Sequence, residues 1–280
     1  MMTGNNVKIL VCCHKDDIKA ESDFYLPIHV GKALSDIDLG IRGDNDGDNI
    51  SAKNSSYCEL TGLYWAWKNL KDVDYIGLCH YRRYFDFYRI GRKGFPFTTF
   101  PTEAFSTMDM SISDEAMEWL QKGYAIFPQS WNLRYSVYLE YCEHHNSSDF
   151  RALGDVIREL SPDYYKETIK KTMINSNYLM PYNMFIMSKA QLNNYCEWLF
   201  KILFEVEKRI DITNYDSIQK RVFGYMGERL LNIYVAAERV RYKQFPIIKY
   251  SEEKELYAMS LSHYRLRCLM NNLALKLTKY

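Results

Sequence analysis

The sequence predicts an α/β protein in which short buried strands alternate with helices. Three observations predict this fold class: short runs of apolar and β-branched residues, longer segments with apolar residues every three or four positions, and polar turn clusters between them. The 280 residues suit one such domain with additions, and a hydrophobic content of 47% is sufficient for a packed core. We expect a sandwich built on a mixed, mostly parallel sheet with helical additions.

Two buried strands and one helix are the clearest elements of the first half. Val7 to Cys13 is a continuous apolar run followed by the polar residues His14 and Lys15, and Asp74 to Cys79 is a second such run. Between them, Cys58 to Leu70 carries apolar residues at helical spacing. Continuous apolar runs are typical of parallel strands covered on both faces, and ligands bind where such strands end.

Two polar segments of the first half are predicted to be loops. Asp44 to Asn54 superficially resembles a calcium-binding loop, but its glycine stands at the fourth place and Ser55 at the twelfth, which argues against an EF-hand. Arg89 to Thr107 is rich in Gly, Pro, Phe and Thr and looks too irregular for a helix or strand. A loop of that length is typical of a lid or a binding loop.

The remaining elements follow in chain order, each predicted from its apolar spacing and its turn residues. They are a strand over Tyr124 to Phe127, helices over Ser136 to Ile174 with a break at Ser161-Pro162, a strand over Asn183 to Met187, a helix with an apolar face from Tyr195 to Val206, a helix over Ile218 to Ala237, and a strand over Gln244 to Ile248.

Composition argues against several classes of function. A formal net charge of +1 gives no general attraction for nucleic acid, so we expect no nucleic-acid partner. Neither a Gly-x-Gly-x-x-Gly fingerprint nor a Walker P-loop is present. The seven cysteines form no Cys-x-x-Cys pair, which fits reduced thiols in a cytoplasmic protein. No apolar run is long enough to span a membrane, and the N-terminus lacks the pattern of a signal peptide.

The strongest local motif is His80-Tyr81-Arg82-Arg83-Tyr84-Phe85, directly after the second buried strand. Two adjacent guanidiniums at such a strand end are costly unless an anion meets them. A diphosphate is one partner, because arginine presents a planar fork to phosphate oxygens. The alternative, which the sequence leaves open, is that both arginines form ion pairs with carboxylates of the protein itself.

Two further segments have a functional and a purely structural interpretation. Glu228, in Gly227-Glu228-Arg229, would suit a general base that takes a proton from a hydroxyl, but a solvated ion pair with a nearby arginine is the alternative. The stretch His263 to Tyr280 is basic, lacks acidic residues and has a leucine-rich stripe. It is typical of a helix that lies on a membrane surface, or of a terminal helix docked on its own domain.

Five segments together resemble the bacterial domain-of-unknown-function family 4422, and the resemblance runs from about Val7 to Ile248. They are PIHVGKALS, DNDGDNISAKNSSYCELTGLYWAWKN, DYIGLCHYRRYF, YNMFIMSK and RVFGYMGERLLNIY. The resemblance implies a GT-A-like glycosyltransferase domain over residues 1–250, with a donor-binding half over about 7–130 and an acceptor half over 131–250. Residues 251–280 would then form a separate basic, amphipathic tail.

The resemblance also implies roles for individual residues. Contacts to the nucleotide and its diphosphate are expected from His14, Lys15, His80, Arg82, Arg83 and Asn54. Contacts to the sugar or the acceptor are expected from Tyr81, Tyr182, Asn183, Met184 and Trp65, and the base would be Glu228. GT-A enzymes usually carry an Asp-x-Asp metal motif where this chain has His80 to Arg83, so dependence on Mn²⁺ or Mg²⁺ stays open and no metal ligand is assigned. Asp44, Asp46 and Asp48 remain candidate contacts.

The expected reaction is transfer of a sugar from a UDP-sugar to a hydroxyl of a lipid-linked glycan, with inversion at the anomeric carbon. The resemblance favours galactofuranose as the sugar and capsule, exopolysaccharide or O-antigen synthesis as the setting. The protein would work in the cytoplasm, with peripheral contact to the inner face of the plasma membrane through residues 263–280. A non-catalytic carbohydrate- or nucleotide-binding protein is the alternative function, and a retaining transferase is the alternative mechanism.

Overall fold

The structure, a computed structural model, describes residues 6–252 and 259–277. The strands of this part are β1 Val7–Cys13, β2 Tyr25–His29, β3 Arg42–Gly43, β4 Tyr75–His80, β5 Arg83–Phe85, β6 Phe97–Phe100, β7 Ala125–Pro128, β8 Trp131–Asn132, β9 Tyr178–Leu179, β10 Phe185–Ser188, β11 Tyr242–Phe245 and β12 Ile247–Tyr250. The α-helices are α1 Asn54–Tyr57, α2 Leu60–Asn69, α3 Asp114–Gln121, α4 Val137–His144, α5 Ser147–Leu160, α6 Tyr164–Ile169, α7 Lys189–Glu207, α8 Val222–Ala237 and α9 Leu261–Leu277.

The described residues divide into two compact units that are each discontinuous in sequence. The first unit contains residues 6–129, 182–193 and 241–252, and the second contains residues 130–181, 194–240 and 259–277. The expected donor and acceptor halves are functional assignments, and they stay predictions.

A ten-stranded mixed sheet forms the centre of the first unit in the described part of the chain. Its main path runs β11-β7-β10-β4-β1-β2-β3, and β5, β12 and β6 branch from β4. Five of its strand pairings are parallel, including β1 with β2 and β1 with β4. Four are antiparallel, including β10 with β4. The predicted mixed, mostly parallel sheet is therefore confirmed.

The two apolar runs identified in the sequence form the buried middle of this sheet. Ile9 and Leu10 of β1 and Leu78 of β4 have no exposed surface. Helix α2 packs closely, because a Cβ added to Gly62 would lie 2.8 Å from the side chain of Val30. Because β1 and β4 are parallel neighbours, their C-terminal ends lie at one edge of the sheet.

The segment Arg89 to Thr107 differs from its prediction as an irregular loop. It contains strand β6, which pairs in parallel with β12, and a 3₁₀ helix over Thr102–Thr107. The sequence could not reveal this strand, because β6 is stabilised by pairing with β12, about 150 residues away in the chain. The predicted strand over Gln244 to Ile248 is two strands, β11 and β12, separated by Pro246, which has no N–H to donate to a ladder.

Helices and aromatic side chains form most of the second unit. α5 ends at Leu160 and α6 begins at Tyr164, which confirms the predicted break at Ser161-Pro162. A π-helical turn over Lys170–Ile174 follows. The rings of Trp198 and Tyr234 lie 5.5 Å apart, and such aromatic contacts stabilise a core beyond simple burial.

Helix α9 is attached to the second unit by its polar face. Asn271 and Asn272 hydrogen-bond with Asn132 at 2.9 Å, and Asn272 also donates to the Tyr178 hydroxyl at 3.0 Å. The opposite face exposes large apolar side chains, namely Leu266, Leu269, Met270, Leu273 and Leu277. Residues 253–258 and 278–280 of the predicted tail lie outside the described residues. No helix of the described residues is long and apolar enough to cross a membrane.

Candidate functional site

The polar residues after β1 and β4 lie together at one edge of the first unit's sheet. Cys12 of β1 stands in register with His80 of β4, so the chain leaves both strands at the same level. The exposed ring of His14 lies edge-on to Tyr81 with 5.3 Å between centroids, and the Lys15 ammonium is 6.0 Å from the same ring. Three of the residues expected to bind the donor or the sugar therefore form one cluster.

Three basic side chains stand in one row across neighbouring strands beside this cluster. β4 and β5 form a hairpin with Tyr81 and Arg82 in its turn, and His80 is paired with Arg83. Arg83 is also paired with Lys249 of β12. Residues directly opposite each other on paired strands share a face of the sheet. Lys249 was not identified from the sequence, because only the pairing of β5 with β12 brings it to this row.

Arg82 forms ion pairs with carboxylates of the protein. Its guanidinium lies 2.9 Å from Asp17 and 3.2 Å from Glu252. Burial raises the pKa of Asp17, but the hydrogen bonds from Arg82 and from the Ile18 amide outweigh that effect and hold the pKa below its ordinary value. The hydrogen bond to Asp17 in turn raises the pKa of Arg82. For Arg82, the structure has the arrangement that the sequence left open as an alternative to phosphate binding.

Arg83 is in a different environment. Its guanidinium stacks on the ring of Tyr182 at 4.3 Å from the centroid. Its Nε atom is buried and has no hydrogen-bond partner within residues 6–252 and 259–277. A buried guanidinium nitrogen that lacks an acceptor is costly, and a phosphate oxygen would relieve that cost. Of the two adjacent arginines, Arg83 is therefore the stronger candidate for binding an anion.

Tyr182 and Asn183 form the turn that leads into β10. Both have positive φ angles, 70° and 54°, which is uncommon for residues other than glycine. The His80 Nε2 atom lies 2.8 Å from the Tyr182 carbonyl oxygen. Because a carbonyl oxygen only accepts, Nε2 carries the proton, and Nδ1 is an acceptor when the imidazole is neutral. The Asn183 amide donates to Glu59 at 2.7 Å.

Three other residues expected to contact ligand have packing roles in the structure. Asn54 donates to the Cys58 carbonyl at 2.7 Å and to the Thr61 hydroxyl at 3.0 Å. Trp65 is 1% exposed and donates to Asp46. Met184 has no exposed surface. Trp65 and Met184 are buried and offer no face to a sugar, and the Asn54 amide already donates within the protein, so we leave these three residues out of the proposed ligand contacts.

The aspartates of the loop after β3 also have partners within the protein. Asp44 is fully buried and accepts hydrogen bonds from the Gly31 and Lys32 amides and from the Ser51 hydroxyl. Asp48 accepts from the Tyr64 hydroxyl at 3.2 Å. No group of three or more His, Cys, Asp or Glu side chains able to hold a metal ion occurs in the described part of the chain. We therefore derive no step through a metal ion.

Glu228 belongs to the second unit, where it shares a buried arginine with a second carboxylate. Arg229, with a side chain only 4% exposed, lies 2.9 Å from Glu228 and 2.6 Å from Glu140. The two carboxylates are similarly shielded, at 18% and 24% exposure. Glu228 is thus not the solvated member of a surface pair, because it forms an ion pair with the buried Arg229.

His145 lies next to this cluster and gives the second unit a pH dependence. Its ring stacks on Tyr225 at 4.0 Å, and burial followed by the charge of Arg229 lowers the pKa of His145 to about 4. In the unfolded chain the pKa of His145 is near 6.5. Between pH 6.5 and pH 4, His145 therefore binds more protons in the unfolded chain than in the folded chain. Stability is therefore lost as pH falls from 6.5 towards 4.

We expect unfolding free energy to fall by about 1–2 kcal/mol between pH 7 and pH 4.5 on account of this group, after allowing for its partial exposure. Replacing His145 by glutamine should remove that part of the pH dependence. Urea unfolding followed by circular dichroism at several pH values measures both chains. An unchanged acid slope in His145→Gln would contradict the assignment.

The comparisons with known proteins agree with the fold class and with the resemblance seen in the sequence. A family model described as "Domain of unknown function (DUF4422)" matches residues 8–239. The chain is also similar to a solved structure titled "WbbM bifunctional glycosyltransferase apo structure", with 31% identity and a TM-score of 0.80. That match covers 91% of this chain and 47% of the other, so this chain spans about half the length of the solved protein. No curated protein matches the sequence. Since the family model covers most of its length, the chain belongs to the DUF4422 family.

Proposed function

We propose that this chain is a glycosyltransferase that moves a sugar from a UDP-sugar to a hydroxyl group of a glycan acceptor. The proposal is supported by similarity to a protein whose title describes a bifunctional glycosyltransferase. The observation that carries it is Arg83, whose buried Nε has no acceptor among the described residues and which stands in register with His80 and Lys249. Such a row suits the diphosphate of a nucleotide sugar.

The chemistry requires charge stabilisation at the leaving group. As the anomeric carbon–oxygen bond breaks, negative charge develops on the departing UDP, and cationic donors aimed at that oxygen lower the barrier. In our proposal Arg83 supplies two or more N–H donors to the diphosphate, and Lys249 adds a second positive charge. His14 and Tyr81, near the end of β1, offer ring surfaces for the uridine and the sugar.

The acceptor side of the reaction requires a base. We propose Glu228, on the resemblance to the acidic element of inverting transferases. Its carboxylate would take the proton of the acceptor hydroxyl while that oxygen forms a bond to the anomeric carbon, and UDP would leave from the opposite face. The product is a glycan longer by one sugar, with inverted anomeric configuration. Arg229, 2.9 Å away, would hold the Glu228 carboxylate in position.

The donor sugar and the biological setting rest on the family resemblance. We propose galactofuranose as the sugar and a lipid-linked oligosaccharide of capsule, exopolysaccharide or O-antigen synthesis as the acceptor.

A panel of UDP-sugars that includes UDP-galactofuranose tests this function. Release of UDP is followed for each sugar with and without a lipid-linked or synthetic glycan acceptor. The proposal expects turnover with one UDP-sugar, and proton NMR of the product would then give the anomeric configuration. If the protein binds UDP-sugars and transfers none of them to any acceptor, a binding protein replaces the transferase as the best description.

We also propose that α9 lies on an anionic lipid surface. The apolar residues Leu266, Leu269, Met270, Leu273 and Leu277 share one stripe, while the helix is attached to its unit through Asn271 and Asn272 on the opposite face. Arg265 and Lys276 flank the stripe on one side and Arg267 on the other, and the helix contains no acidic residue. Basic residues that border an apolar stripe complement the charge of anionic headgroups.

Replacing Leu269 and Leu273 by serine is expected to lower binding to vesicles with anionic lipid by tenfold or more, since each buried leucine contributes about 1.5–3 kcal/mol. Flotation of the protein with such vesicles measures the binding. Serine at Leu34 and Ile37 is the matched control, because those side chains are comparably exposed in the first unit. Equal flotation of both double variants would contradict the proposal.

A further inference from the structure

A strained two-residue turn stands beside the row of basic residues. Tyr182 and Asn183 have φ angles of 70° and 54°, and β10 begins two residues later at Phe185, which pairs with Leu78 near the end of β4. Two consecutive left-handed residues other than glycine persist only when their surroundings hold them. Backbone strain of this kind clusters at ligand sites, so the contacts that maintain this turn indicate which residues support a ligand site.

Glu59 holds the turn through Asn183. The Asn183 side chain is 1% exposed, and its Nδ2 atom donates to the Glu59 carboxylate at 2.7 Å. Hydrogen bonds from a buried amide to an ionised carboxylate are among the stronger ones in proteins. Glu59 itself follows Cys58, another residue with a positive φ, 51°, at the start of α2. The two strained segments are thus tied to each other.

The turn orients two members of the proposed diphosphate site. Its Tyr182 carbonyl accepts from His80 Nε2 at 2.8 Å, which sets the tautomer and the ring direction of His80. Its Tyr182 ring lies 4.3 Å from the Arg83 guanidinium. A stacked guanidinium is confined to one plane, and its N–H groups therefore point in fixed directions.

We infer that Glu59 is a positioning residue of the nucleotide-diphosphate site. It acts through Asn183 and Tyr182, and it aligns the Arg83 guanidinium towards the phosphate oxygens without contacting the ligand. The inference rests on the proposed function, because the ligand is the diphosphate of the sugar donor. It assigns a role to a carboxylate that the sequence analysis did not single out.

The experiment compares UDP and uridine, because only UDP carries the phosphates that the aligned groups would meet. Dissociation constants of both ligands are measured by calorimetry for the unaltered chain, Glu59→Ala, Glu59→Gln and Asn183→Gly. Glutamine keeps an oxygen that accepts from Asn183, whereas alanine removes it. Glycine at position 183 relieves the backbone strain and deletes the amide, so it tests the link even if Glu59→Ala fails to fold.

We expect Glu59→Ala and Asn183→Gly to weaken UDP binding about tenfold and to leave uridine binding within about twofold, since only preorganised charge contacts are lost. Glu59→Gln should recover most of the UDP affinity. Arg239→Gly, at a left-handed residue of the second unit with φ of 50°, is the matched control and should change neither affinity.

The inference is overturned if both ligands weaken equally in Glu59→Ala and Asn183→Gly, because that pattern reports a general structural defect. It is also overturned if UDP binding is unaffected. If the unaltered chain binds UDP more tightly than uridine but turns over no UDP-sugar, the proposed function is wrong, and the affinities of the variants still decide the role of Glu59. If the unaltered chain binds UDP and uridine equally, both the proposed function and the role of Glu59 are contradicted.

Discussion

Replacing Arg83 by alanine is expected to weaken UDP binding by about 10²-fold and to lower kcat/KM for sugar transfer by about 10²–10³-fold, because single charge-stabilising donors have effects of this size. Uridine binding should change by less than about twofold, since uridine lacks the groups that Arg83 meets. Calorimetry with UDP and uridine, together with initial rates, measures all three quantities.

Two neighbouring substitutions serve as controls for this prediction. Arg82→Ala removes the same charge one residue away, but that guanidinium is already neutralised by Asp17 and Glu252, so UDP affinity should fall much less. Arg83→Lys keeps the charge and loses the planar group that stacks on Tyr182 at 4.3 Å, so it should recover only part of the loss. A larger effect from Arg82→Ala than from Arg83→Ala would contradict our assignment.

Replacing Glu228 by glutamine is expected to lower kcat by about 10²–10⁴-fold, which is the range for loss of a general base. UDP affinity should be retained, because the base acts on the acceptor hydroxyl and not on the nucleotide. Single-turnover rates at saturating UDP-sugar measure the chemical step directly. Because glutamine is close to glutamate in size, the packing around the side chain should be preserved.

Glu140→Gln separates catalysis from structure in this test. Glu140 and Glu228 both pair with the buried Arg229, at 2.6 Å and 2.9 Å, and have similar exposure. Each glutamine removes one negative charge from the same buried arginine, so both variants should lose similar stability. If both variants also lose activity to the same extent, Glu228 has a structural role and the base must be sought elsewhere.

The central strands and the long helices could be predicted because their signals are local. β1 and β4 are continuous apolar runs, and α8 shows its apolar spacing within one segment. β6 could not be predicted, because its surroundings resemble a loop and its pairing with β12 is formed across about 150 residues. Whether a short segment forms a strand depends on the strand that it pairs with, and the residues of the segment alone do not identify that partner.

The candidate site could also be predicted only in part, namely where its residues are adjacent in the sequence. The HYRRYF motif led directly to His80, Tyr81, Arg82 and Arg83, but the sequence could not distinguish the two arginines. The distinction depends on Asp17, which is 65 residues from Arg82 in the chain and 2.9 Å from it in the fold. Lys249 and Glu59 were missed for the same reason.

Some predicted contacts were assigned to residues that the fold uses for packing. Trp65 was selected as an aromatic ring that could stack on a sugar, yet it is 1% exposed and its indole N–H donates to Asp46. A sequence pattern shows which residue types are present, whereas the exposure of each side chain in the fold determines whether it can contact a ligand.

The central claim is that the basic row of His80, Arg83 and Lys249 binds the diphosphate of a nucleotide sugar. Calorimetric titration of the unaltered chain with UDP and with uridine, in the presence of a chelator, tests it most directly. The account predicts that UDP binds at least about 10²-fold more tightly than uridine, since charge-assisted contacts to the two phosphates are then present without a metal ion. Equal affinity for the two ligands would contradict it.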